Sequence, residues 1–96
     1  MSRYFGTILL AMLVTLPRAA QAQEPTAGYQ AVQGAFLRED FTEVASLAQA
    51  FILEHPSVPE VPRVWLWLAL SLNNLDQPHE ALRELERLKD HLAPKD

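Results

Sequence analysis

His55, His79 and His91 are the first places to look for acid–base or metal chemistry in this 96-residue sequence. An imidazole titrates near neutral pH, but proton relay or metal capture needs a partner at fixed spacing, as in the helical H-E-x-x-H pair. None of the three has one. Each falls near an expected helix terminus, which reads as a solvated or capping histidine; when protonated, His55 and His91 would interact favourably with the dipole at a C-terminus. Glu80, Glu84, Glu86 and Asp90 offer the clustered carboxylates that general acid–base catalysis requires. Arg83, Arg87 and Lys89 are interleaved with them, however, as on a solvated helix face laced by ion pairs. The serines lie in no G-x-S-x-G turn, and Gly28 and Gly34 make no phosphate loop. The absence of cysteine excludes a disulfide framework, a zinc knuckle and a thiol nucleophile. The side chains therefore assign no catalytic residue, no metal ligand and no cofactor, and the expected class is non-enzymatic.

The elements that would position any site are helical. Val64 to Leu75 contains no Gly, Pro or charge and is too short to span a bilayer, which takes roughly 20 residues. On a helix, Trp65, Leu68, Ala69, Leu72 and Leu75 share one face at i, i+3, i+4, i+7 spacing, with Leu66, Trp67 and Leu70 on the other side. A helix apolar all round must be covered on more than one face, so this one is expected to be a middle layer. Trp65 reads as core; Trp67, Leu66 and Leu70 either pack on neighbouring helices or line a recognition surface.

Before it, Ala27 to Arg38 places Gly28, Ala31, Val32 and Ala35 at helical spacing, with Tyr29, Gln33 and Phe36 on a neighbouring face. Asp40-Phe41-Thr42-Glu43 reads as a capping box that starts a second helix, with Phe41, Val44, Ala45, Ala48, Phe51 and Ile52 on one stripe, ending at His55 before Pro56. The Pro56–Pro62 connection offers Ser57 and Glu60 as another capping box. Asp76 reads as a cap and Pro78 as a first-turn residue of the last helix. That helix is expected to turn Ala81, Leu85, Leu88 and Leu92 inward, and Arg83, Glu84, Glu86, Arg87, Lys89 and Asp90 outward, before Ala93-Pro94 stops it.

Residues 1–22 read as a secretory signal peptide. Arg3 supplies the positive start, Tyr4 to Leu16 the apolar run, and Ala20-Gln21-Ala22 the small-x-small cleavage site, so the exported chain would begin at Gln23. Residues 23–96 then form one periplasmic or secreted domain with no membrane span. Without Arg3 and Arg18, six basic face twelve acidic side chains, and no basic patch remains on which nucleic acid could release counterions.

The two halves of that domain repeat each other. Asp40-Phe41-x-Glu43-Val44 returns 37 positions later as Gln77-Pro78-x-Glu80-Ala81, and Pro56 returns 38 positions later as Pro94. The tetratricopeptide pattern W-x2-L-G-x2-Y, A-x3-F, P is matched by Trp65-x2-Leu68-Ala69-x2-Leu72, Ala81-x3-Leu85 and Pro94, and more loosely by Gly28-x2-Ala31-Val32-x2-Ala35, Val44-x3-Ala48 and Pro56. The chain resembles tetratricopeptide (TPR) proteins. Tyr29-Gln30-Ala31, Asp40-Phe41, His55-Pro56 and Trp67-Leu68-Ala69 are similar to the repeat domain of periplasmic Tol-Pal-associated cell-division coordinators. It departs from the pattern at the usual Gly-Asp turn, which is Glu39-Asp40 in one unit and Asp76-Gln77 in the other, at Val44 in place of Ala, and at Pro78 in place of an aromatic. That family's coiled-coil segment has no counterpart in the sequence.

The resemblance implies an all-α fold of two tandem helical hairpins, four helices in a short superhelix, with units at about 27–56 and 62–94. It also implies a concave groove lined by the first helix of each unit: Tyr29, Gln33 and Phe36 in one, Leu66, Leu70 and Asn73 in the other. The expected function is a protein-interaction module or adaptor of a bacterial cell-envelope complex that binds a protein or peptide. The alternatives are a structural subunit that forms a homo-oligomer through its apolar face and, with less support, a small cell-wall hydrolase.

Overall fold

A computed structural model describes residues 25–94 of the chain; the expected leader, residues 1–22, lies outside them. Four helices run in order: α1 (Pro25–Leu37), α2 (Phe41–Glu54), α3 (Val61–Asn74) and α4 (Pro78–Leu92). The described residues contain no strand, so the fold is all-α, two helical hairpins in series. No helix among them is long and apolar enough to cross a membrane.

Each boundary has a local cause. Pro25 and Pro78 open α1 and α4, and Pro62 lies in the first turn of α3, where a missing N–H costs nothing. Asp40 caps α2, its Oδ1 accepting from the Glu43 backbone N–H at 3.3 Å. Glu43 does not reach back as a full capping box would; its carboxylate accepts instead from the Arg38 guanidinium at 3.2 Å. The Ser57–Glu60 box does not form, because Glu60 is itself the N-cap of α3 and makes no side-chain bond. Asp76 is not a cap either: Gln77 takes that position, again without a side-chain bond.

What Asp76 does instead explains the departure from Gly-Asp. Glu39 has φ 58° and Asp76 φ 63°, both in the left-handed region that glycine enters most easily. Ala35 O accepts from Asp40 N–H at 2.9 Å, and 37 residues on Leu72 O accepts from Gln77 N–H at 2.9 Å. Phe36 O accepts from Glu39 N–H at 3.0 Å, and Asn73 O from Asp76 N–H at 3.1 Å. These are the paired bonds that close a helix with a left-handed residue. The internal repeat is thus a repeat of backbone geometry as well as of residue type. Asp tolerates the left-handed region better than Glu, whose Cβ crowds the following carbonyl without local compensation. Glu39→Gly is therefore expected to raise the unfolding free energy by about 1 kcal/mol. The gain would be read as a higher urea midpoint at unchanged slope; an equal or lower midpoint would show that the turn carries no strain.

The core is built from Val32 and Ala35 of α1, Val44, Ala48 and Phe51 of α2, Val61, Val64, Leu68 and Leu72 of α3, and Ala81 of α4. As expected, α3 is the middle layer: it packs on α2 and α4, and also touches α1. Its buried arc is rotated from the expected stripe. Leu68, Ala69 and Leu72 are buried, but Trp65 and Leu75 are only half-buried, and the arc continues through Val61, Val64 and Ser71. The reason is that a whole hairpin, α1 and α2, packs on that side of α3, whereas α4 alone packs on the other. Close approach of α1 to α2 depends on Gly28, where a Cβ would stand 3.1 Å from the Phe51 ring.

Ser71 is wholly buried and its Oγ has no hydrogen-bond partner. An unpaired buried hydroxyl costs about 1–3 kcal/mol of desolvation. Ser71→Ala removes that cost and improves helix propensity, so the variant should melt higher, by about 1 kcal/mol in stability. A lower melting temperature would mean that the hydroxyl finds a partner in solution.

Candidate interaction surface

The last helix is where packing departs most from its sequence pattern. Of the four residues expected inward, Ala81 is buried and Leu88 half-buried, while Leu85 and Leu92 are 39% and 61% exposed. Among the described residues α4 packs on α3 alone, so one flank of its apolar stripe is left uncovered. Glu84, expected outward on a solvated face, turns toward α3. Its Oε1 accepts from Trp65 Nε1–H at 3.0 Å, and its Oε2 pairs with Arg87 at 3.1 Å. The His91 ring lies beside Trp65, with centroids 5.4 Å apart. A buried indole N–H needs an acceptor, and Glu84 supplies one where Trp65 would otherwise leave its donor unpaired.

Between α3 and α4 runs an open groove of about 270 Å3, lined by Leu66, Ala69, Leu70, Asn73, Pro78, Ala81, Leu82 and Leu85. Its walls are leucines that a solvated helix face would not carry: Leu66 and Leu70 are 45% and 44% exposed and Leu82 57%. At Leu66 the groove meets a hollow of about 570 Å3 lined by Tyr29, Pro59, Glu60, Pro62, Arg63, Leu66 and Leu88. There the Arg63 guanidinium donates to the Tyr29 hydroxyl at 3.3 Å.

Of the six residues expected to line a groove, the three from the second unit come together: Leu66, Leu70 and Asn73 all line the α3–α4 groove. Tyr29 joins them only through the adjoining hollow. Gln33 and Phe36 line neither and are half-buried. Trp67 is why. Its ring stacks on Phe36 at 5.5 Å and 24°, and packs on Tyr29 at 5.4 Å, so it fills the space beside α1 with aromatic surface. Of the two readings open for Trp67, the structure shows packing on a neighbouring helix; Leu66 and Leu70 line an open groove. Leu82 and Arg63 are lining residues that residue patterns passed over. The signal for Leu82 was present: it lies four residues after Pro78 and three before Leu85, on the edge of the stripe expected inward.

The histidines lie apart from one another. His55 caps the end of α2 beside Phe51, at 5.3 Å between rings, His79 is exposed in the first turn of α4, and His91 rests on Trp65. Among the described residues no three His, Cys, Asp or Glu side chains are grouped so as to hold a metal ion. Chemically the groove offers apolar contact along its length, an amide donor and acceptor at Asn73, and a guanidinium beside its far end. Comparison of the chain with protein-family models, with curated proteins and with solved structures gives no match.

Proposed function

We propose that this chain is an exported, non-enzymatic interaction module of tetratricopeptide type that binds a protein segment along the α3–α4 groove, as an adaptor in a cell-envelope complex. The observation that carries the reading is the alignment of Leu66, Leu70 and Leu82, all exposed, along one groove. A contiguous exposed apolar patch usually marks an interaction site. An amphipathic helix or extended segment laid there would desolvate the leucines at its apolar positions, while Asn73 at the rim can donate to and accept from backbone amides. The backbone repetition at 37 residues supports a helical-repeat architecture. Export rests on the sequence of residues 1–22 alone.

Two measurements test the proposal. N-terminal sequencing of the protein from the envelope fraction should begin at Gln23; retention of Met1 would remove the export reading. Capture from envelope extract should then recover a partner with the natural protein and lose it with Leu70→Glu, a change at an exposed position that should alter stability by less than about 0.5 kcal/mol. Equal recovery by both proteins would remove the groove from the interaction.

A further inference from the structure

We infer that copies of this chain stack head to tail, the outward face of α1 in one copy, at Ala27, Ala31 and Gly34, covering the leucine flank of α4, at Leu85 and Leu92, in the next. This surface adjoins the proposed groove at Leu85 but is distinct from it, so the inference goes beyond that reading.

The repeat carries the first part of the argument. Because both hairpins share one backbone geometry at a shift of 37, the second ends on the face that the first turns toward α3. Ala48 and Phe51 of α2 belong to the core that α3 closes; their equivalents on α4 are Leu85 and Leu88, which no further helix of the described chain closes. In the opposite direction, Val64, Leu68 and Ser71 of α3 are wholly buried, and their equivalents on α1 are Ala27, Ala31 and Gly34. Ala31 is exposed and the other two half-buried. A second copy whose α1 continues the series would put each set where the fold already buries its counterpart, extending the contact that joins the two hairpins.

Size supports the same pairing. Within the chain a large Leu68 and a small Ala48 share one core. Between copies a small Ala31 would face a large Leu85, an exchange that conserves volume, which packed interiors tolerate best. Charge supports it as well. No residue of α1 from Pro25 to Leu37 is charged, although Gln30 and Ala31 are exposed; the one guanidinium that reaches this face is that of Arg38, which folds back over Gly34 at its C-terminal end and must swing aside, on its exposed side chain, for the contact to close there. A helix whose outer face is meant for water normally carries charge there. The leucine flank is moreover continuous with an existing interface: Ala81 and Leu88 lie against α3, and Leu85 and Leu92 extend the same stripe outward. The contact joins two different surfaces, so it does not close on a two-fold axis and adds copies in a row.

The test uses the protein in its natural N-terminal form, by sedimentation over a range of concentrations. The natural protein should grow beyond a dimer as concentration rises. Ala31→Glu and Leu85→Glu each bury an unpaired carboxylate in the contact, and each should weaken association by about a hundredfold or more. Mixed, they should form a one-to-one pair that grows no further, because the first keeps a sound α4 and the second a sound α1. Gln30→Glu, on the same exposed face, repeats the test if Ala31→Glu loses its helical circular dichroism. A natural protein that stays monomeric, an Ala31→Glu variant that still self-associates, or a mixture that does not pair overturns the inference. Should the protein stay monomeric yet capture an envelope partner through Leu70, the interaction module stands and only the stacking falls.

Discussion

Leu68→Ala is expected to remove most of the cooperative fold. Leu68 is 1% exposed at the centre of α3, in the core shared by all four helices. Truncating a leucine in such a site costs about 3 kcal/mol in lost transfer energy and residual cavity. A domain of this size holds only about 0.05–0.15 kcal/mol per residue, so the loss consumes a large share of the total. The melting temperature should fall by about 15 °C, and helical circular dichroism at room temperature should fall with it. Trp65→Ala is the informative comparison, because Trp65 is larger but half-buried at the α3–α4 edge. It should cost less, about 2 kcal/mol, since part of its surface is in water in either state. The reverse order would move the centre of the core to the Trp65 side.

Trp67→Ala should release one helix rather than the whole fold. The aromatic contacts of α1 with α3 run through that ring, which lies within 5.5 Å of both Tyr29 and Phe36. Each aromatic pair contributes about 0.5–1.5 kcal/mol beyond its buried area. With the area included, the loss is about 3 kcal/mol, borne by the α1–α3 contact, which leaves α1 held by α2 alone. Amide exchange at Val32 and Ala35 should then accelerate by about a hundredfold while the middle of α3 keeps its protection. Uniform acceleration across α1 to α4 would show that α1 opens only with the whole domain. Trp67→Phe, which keeps a ring between the two partners, should restore most of the protection.

How much of this was legible in advance differs element by element. Helix number, the Asp40 cap, the stop at His55-Pro56 and the central place of α3 follow from short-range chemistry, and the structure agrees. The register of α3 was legible only in part. Periodicity identifies an apolar arc, but which edge of it is deepest depends on how many helices lie on each side, and that is a tertiary fact. Trp65 therefore moved outward and Val61, Val64 and Ser71 inward. Leu85 and Leu92 show the same limit, since an amphipathic stripe declares a preference for burial without saying that a neighbour exists. For the groove, the second-unit residues Leu66, Leu70 and Asn73 fell together, whereas Gln33 and Phe36 did not. Both units follow one backbone plan, but Trp67 has no aromatic counterpart at Gln30, and a single large side chain decides which half stays open.

The pairing of helices mainly with their immediate successors, α1 with α2, α2 with α3 and α3 with α4, bears on how the chain finds this fold. Contacts so close in sequence require little loop closure, and helical chains of this kind reach the native state in microseconds to milliseconds. Either hairpin can begin the process. Each contributes five core residues, but they are spread over both helices of the first, whereas in the second α3 supplies four and α4 only Ala81. Order should therefore spread from the first hairpin through α3 and reach α4 last, leaving its leucine flank the latest surface to settle and the earliest to open.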